Sequence, residues 1–141
     1  MEAQTVSDVM TTMPISLSST APVSTAAETM RDNDIGDVLV TEDGKVAGLV
    51  TDRDLVVRVL AGGMDPSTTM VGHVCSTDLV AAHPDTPVDE VIRIMRERAV
   101  RRLPVINDTG EAIGFVSLGD LAVTRDPRSA LADISMAPPN R

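Results

Sequence analysis

One short pattern occurs twice in this chain. Gly48-Leu49-Val50-Thr51-Asp52-Arg53-Asp54-Leu55 returns as Gly114-Phe115-Val116-Ser117-Leu118-Gly119-Asp120-Leu121. The repeat runs deeper than the motif. Val6 with Val71, Pro22 with Pro87 and Met30 with Met95 recur at a spacing of 65, whereas Gly44 with Gly110, Gly48 with Gly114 and Asp54 with Asp120 recur at 66. A single residue inserted in a surface turn accounts for the change, and a turn is where a duplicated unit tolerates it best. One structural unit is therefore written twice, and the cleft between two such units is the first place to look for a site.

Each copy reads as the same series of elements. A short helical lead-in over 6–10 is matched by 71–75, and an extended segment over 15–18 by 79–82. Proline then opens a helix, since its fixed φ and missing N–H suit the first helical position. In the second copy Thr86 and Asp89 form an expected capping box around Pro87. Val23, Ala27 and Met30, and likewise Val88, Ile92, Met95 and Ala99, fall at helical spacing and are expected to face a core. Two apolar runs follow, joined at Glu42-Asp43-Gly44 in one copy and Asn107-Asp108-Thr109-Gly110 in the other, which predicts β-hairpins. Pro104 cannot donate to a ladder and marks an edge or a strand start. A second helix, over about 52–60 and 118–124, closes each copy, and the tail over 126–141 is expected to be frayed or docked.

The 141 residues suffice for one domain built as two halves, with an almost wholly aliphatic core because Phe115 is the only aromatic residue. Twelve Lys and Arg against 21 Asp and Glu give a formal charge of −9, which opposes nucleic acid or an anionic membrane as partner. Base-stacking aromatic platforms are missing as well. Cys75 is the only cysteine, so no intrachain disulfide can form. An acidic start without an apolar stretch predicts no signal peptide, and the expected location is cytoplasmic.

The doubled motif carries the chemistry. Thr51-x-x-Asp54 and Ser117-x-x-Asp120 each stand where a strand becomes a helix. A hydroxyl with free N–H groups at a helix start suits an anion, and a carboxylate one turn in can hold the paired hydroxyls of a ribose. The same residues also make a plain capping box, in which the acid complements the helix dipole. The two uses share one geometry. The glycine ahead of each run lets another group approach the backbone closely.

With its doubled G-h-h-[ST]-x-x-D motif (h, apolar) and this order of elements, the chain resembles the CBS domain family, named for cystathionine β-synthase. It looks like the tandem pair called a Bateman module, across residues 5–125. Ala61-Gly62-Gly63-Met64-Asp65-Pro66 makes it similar to the small stand-alone bacterial members. The resemblance implies an α/β (α+β) fold of two β-α-β-β-α repeats packed with pseudo-two-fold symmetry. The expected boundaries are 1–66 and 67–126, with a tail over 127–141. It implies clefts between the repeats that bind an adenosine-containing ligand such as AMP, ADP or ATP, with S-adenosylmethionine ranking behind them. Carried over by position, Asp54 and Asp120 contact ribose, and Thr51 and Ser117 contact phosphate or ribose. Ile15-Ser16 and Leu79-Val80 line the base, with Val38 and Leu103 opposite. The family also dimerises through its helices, so a homodimer is implied.

The halves differ in charge. Arg101 and Arg102 precede the first hairpin strand of the second copy, where the first has Gly36 and Asp37, so the second site is expected to favour an anion and the first to oppose one. Arg53 lies inside the first motif, offset by Asp52. The basic cluster between Arg93 and Arg102 also reads as a solvated helix face paired with Glu90 and Glu97. His73 and Cys75 lack the spacing of a structural zinc motif, so no metal is expected, and Cys75 reads as a small core residue. Met30 and Met95 are read as core residues or as part of a helical dimer interface. No nucleophile–base arrangement, P-loop or Gly-x-Gly-x-x-Gly appears, so no enzyme is expected. The leading function is a regulatory sensor that binds an adenine nucleotide and passes its occupancy to an unidentified protein partner. The alternative is a ligand-free dimeric scaffold serving protein interaction or a stress response.

Overall fold

Two units make up the computed structural model, which describes residues 4–125, 131, 134, 136 and 137. One unit is Ile15–Leu79; the other joins Met1–Pro14 to Val80–Arg141. The expected tail therefore lies mostly outside the described residues.

In the unit of Ile15–Leu79, β2 (Ser16–Ser18) pairs in parallel with β3 (Asp37–Glu42), and β3 pairs antiparallel with β4 (Lys45–Thr51). α2 (Val23–Asn33) lies between β2 and β3 in the chain. Glu42 pairs with Lys45, leaving Asp43-Gly44 as a two-residue turn with φ of 52° and 78°. Positive φ at both positions is what the Asp-Gly signal predicts. After β4, one turn of α3 (Asp52–Asp54) passes into a π-helix over Leu55–Leu60, where the second copy has the regular helix α5 (Leu118–Arg125). The other unit holds a sheet ordered β1-β6-β5, from β1 (Thr11–Thr12), β5 (Arg102–Ile106) and β6 (Ala112–Ser117), with α4 (Val88–Arg98) ahead of β5. Pro104 thus sits within a strand at the end of that order.

The extended segment expected over 79–82 forms no strand and keeps only a parallel bridge from Ala82 to Val105. The two copies show why. In the first, Leu39 N–H donates to Ile15 O at 3.1 Å and Ser19 N–H to Thr41 O at 2.9 Å. The matching donors in the second are Pro104 and Pro84, which have no N–H.

Each helix buries the expected Val and Met of its stripe and departs from it between or beyond them. Val23, Ala26 and Met30 are buried on α2 while Ala27 is exposed, and on α4 the set is Val88, Val91 and Met95, with Ile92 half-buried and Ala99 exposed. Met30 and Met95 are core residues, each 7% exposed. Pro22 and Pro87 are N-caps rather than first helical residues. The capping box expected at Thr86 and Asp89 does not form. Thr86 Oγ1 instead accepts from His83 N–H at 3.0 Å, and Asp89 pairs with Arg125.

The largest departure concerns the lead-ins. Val6, from α1 (Val6–Val9), is fully buried in the core built from Val88, Val91, Leu103 and Val116 of the second copy. Val71 and Val74, around a short 3-10 turn over Val71–His73, are buried with Val23, Val38 and Val50 of the first. Each lead-in completes the core of the other copy. The strand pairings follow suit, Thr11 with Phe115 and Ser76 with Leu49.

Candidate functional site

Both motifs close as capping boxes. Thr51 N–H donates to Asp54 Oδ2 at 2.9 Å while Asp54 N–H donates to Thr51 Oγ1 at 3.1 Å. Ser117 and Asp120 repeat the pair at 3.0 Å in both directions. Four half-buried side chains are thereby held in place at two strand-to-helix junctions. Asp54 also faces Arg58 across 3.7 Å, and Arg58 donates to Val74 O at 3.1 Å.

The charge difference between the halves lies beside the motifs. In the ladders Asp37 stands opposite Thr51, whereas Arg102 stands opposite Ser117. Asp52 N–H donates to Gly36 O at 2.9 Å, and Leu118 N–H donates to Arg101 O at 2.8 Å. Arg102 is exposed, with its guanidinium 4.4 Å from the centroid of Phe115. Arg53 is exposed as well, and its backbone N–H donates to Asp52 Oδ1 at 2.8 Å. Arg93 bridges Glu90 and Glu97 along α4, a solvated face, and the paired carboxylates hold its pKa above the ordinary guanidinium value.

The remaining candidates separate. Ser16 is exposed, Ile15, Leu79 and Val80 are half-buried, and Val38 and Leu103 have no exposed surface. In one unit the structure joins Ile15, Ser16 and Val38 to the first motif through the β2-β3-β4 sheet. Val80 and Leu103 belong with Ser117 and Asp120 in the other.

A cleft of about 390 Å³ opens at the second motif, lined by Ser117, Gly119, Asp120 and Thr124 together with Asp8 and Val9. Two carboxylates on one cleft suit hydroxyl donors better than a bare anion. Sequence reasoning missed Asp8 and Val9 because the lead-in reads as part of the first copy. The one available signal was the repeat itself, since duplicated units can trade equivalent segments.

The motif glycines are explained by the same trade. A Cβ on Gly114 would lie 2.6 Å from Thr11 O and 2.8 Å from Met10 Sδ, and one on Gly48 would lie 2.7 Å from both Cys75 Sγ and Ser76 O. The group that needs the close approach is the lead-in chain. Cys75 packs there against the core as expected, and burial pushes its thiol pKa up. Among the described residues no group of three His, Cys, Asp or Glu side chains is placed to hold a metal ion, and no helix is long and apolar enough to cross a membrane.

The sequence pattern of the CBS domain matches residues 6–61 and again residues 71–124. The chain belongs to the CBS domain family. It is 37% identical over 134 residues to the CBS domain-containing protein YhcV of Bacillus subtilis, covering 92% of this chain and 94% of that one. Hypoxic Response Protein I, solved with two coordinated zinc ions, superposes with a TM-score of 0.77 at 30% identity, over 86% of this chain and 98% of that one. A CBS domain pair solved with 5′-methylthioadenosine and S-adenosyl-L-methionine superposes equally well, TM-score 0.77, over 91% of this chain and 100% of that one. At 22% identity that likeness is one of fold. The chain is thus a tandem CBS pair of mixed α/β architecture, a non-catalytic regulatory module.

Proposed function

We propose that this CBS pair is a cytoplasmic sensor that binds an adenosine-containing nucleotide of the AMP, ADP or ATP class at its Ser/Thr-x-x-Asp motifs and signals to a partner protein. The observation that carries the reading is the second motif. Ser117 and Asp120 are fixed by reciprocal hydrogen bonds at the wall of a cleft, with Asp8 beside them and Arg102 across the ladder from Ser117. Carboxylates there take ribose hydroxyls, and Arg102 supplies charge for a phosphate. A fold neighbour that carries adenosyl ligands adds support. Signalling then follows from differential affinity, because a ligand that favours one arrangement of the module shifts its population toward it.

A second copy of the chain is the proposed partner for the last helix of each half, where Val56, Val57 and Leu60 and, in the other half, Leu118 remain exposed beside apolar grooves. Light scattering checks it, with a dimer mass expected.

The completed capping boxes favour one other reading, a ligand-free scaffold in which the motifs serve only as caps. Thermal unfolding followed with an extrinsic dye separates the two, since the chain has no Trp or Tyr. A ligand at 100 times its dissociation constant adds about 2.7 kcal/mol, a shift of several degrees. The expected result is a selective shift with AMP, ADP or ATP that exceeds any with S-adenosyl-L-methionine or NAD, and that falls more in Asp120→Ala than in Asp54→Ala. No shift at millimolar nucleotide would leave the scaffold.

A further inference from the structure

The two halves share one repeat register, although a π-helix stands in the first where α5 stands in the second, so residues around the cleft in one half can be compared with their counterparts in the other. The cleft at Ser117 and Asp120 has Val9 and Thr124 on its walls. By the repeat register these correspond to Val74 and Arg58 of the first half. There Arg58 reaches from Asp54, at 3.7 Å, to the carbonyl of Val74, at 3.1 Å, so its side chain crosses the equivalent space. Thr124 does nothing comparable, because its short side chain turns back to donate to Asp120 O within α5 at 2.9 Å. A further difference points the same way. Gly119, with no side chain, lines the cleft where the first motif carries Arg53.

We propose that Arg58 closes the first motif from within, so that this CBS pair holds one nucleotide per chain, at Ser117 and Asp120. The inference rests on the nucleotide reading above and adds which site is used and what disables the other. Asp54 Oδ2 accepts the Thr51 N–H and Oδ1 faces the guanidinium, so both carboxylate oxygens are engaged. Only 17% of the Asp54 side chain is exposed, which leaves a ribose little access unless Arg58 moves. Moving it breaks the ion pair and strands the hydrogen bond to Val74 O. In the second half the ligand meets a carboxylate with no such internal partner at the matching position.

Exchanging the two residues tests this directly. Isothermal titration with AMP and with ATP is run on the unaltered chain, on Arg58→Thr and on Thr124→Arg, with circular dichroism to verify folding. The unaltered chain should take up one nucleotide per chain, and Arg58→Thr should add a second, weaker site. Thr124→Arg, whose new guanidinium has Asp120 and the Val9 carbonyl within its half, should lower affinity about tenfold, or about 1.4 kcal/mol. Two sites in the unaltered chain, or one site persisting in Arg58→Thr, would overturn the role of Arg58 while leaving nucleotide binding intact. No uptake of either nucleotide by any of the three chains defeats the sensor reading and this inference together.

Discussion

Ala99 ends α4 in the left-handed region, with φ 54°, just as Asp34 ends α2 at φ 53°. The Cβ of an ordinary residue costs about 1–2 kcal/mol in this conformation, glycine escapes the cost, and Asp tolerates it better than Ala. Ala99→Gly should therefore stabilise the protein by about 1 kcal/mol, read as a rise in the midpoint of chemical unfolding, and Asp34→Gly should gain less. The opposite sign is expected at Gly114. Its missing Cβ leaves room for Thr11 O, a backbone atom that cannot swing aside. Gly114→Ala should cost about 3 kcal/mol by overpacking, measured by the same unfolding curve. At this scale the sequence was readable in part. The glycine before each motif announces a close approach, but the approaching residues lie far off in the chain, and no local pattern names them.

Helices and hairpins were the most legible elements, because Pro, Asp-Gly and apolar spacing act locally. What local pattern leaves open is the phase of a stripe. On α2 the alanines at 26 and 27 are equal candidates by spacing, and packing against β3 and β4 decides for Ala26. Ala26→Asp should accordingly unfold the first half, costing more than about 3 kcal/mol through an unpaired buried charge. Ala27→Ser should stay within about 0.5 kcal/mol. Equal effects at the two positions would show that the helix is rotated relative to this packing. The lost strand of the second copy has a different cause. Its apolar residues are present, yet a parallel ladder also needs donors, and Pro84 and Pro104 remove them. Hydrophobic pattern alone cannot register that.

For the whole molecule, the exchanged lead-ins matter most, and they are what the order of elements conceals. A repeat boundary drawn along the sequence keeps residues 6–12 with the first copy, whereas their buried surface lies in the second. The candidate site inherits this, since Asp8 and Val9 reach the cleft at Asp120 only through the exchange. Val6 is fully buried, and removing such a side chain forfeits about 1.5–3 kcal/mol of apolar transfer. Deleting residues 1–14 takes away Val6 and the β1 pairing with Phe115 and Gly114 at once. The loss should then fall on the half of the chain that is distant in sequence. Hydrogen exchange on the truncated chain should show faster exchange across Arg102–Ile106 and Ala112–Ser117, with protection across Asp37–Glu42 and Lys45–Thr51 largely kept. Protection lost first from the hairpin of residues 37–51 would mean that the lead-in belongs to its own copy. The physical reason for expecting otherwise is the Thr11 carbonyl, which fits against Gly114 because no Cβ stands in its way.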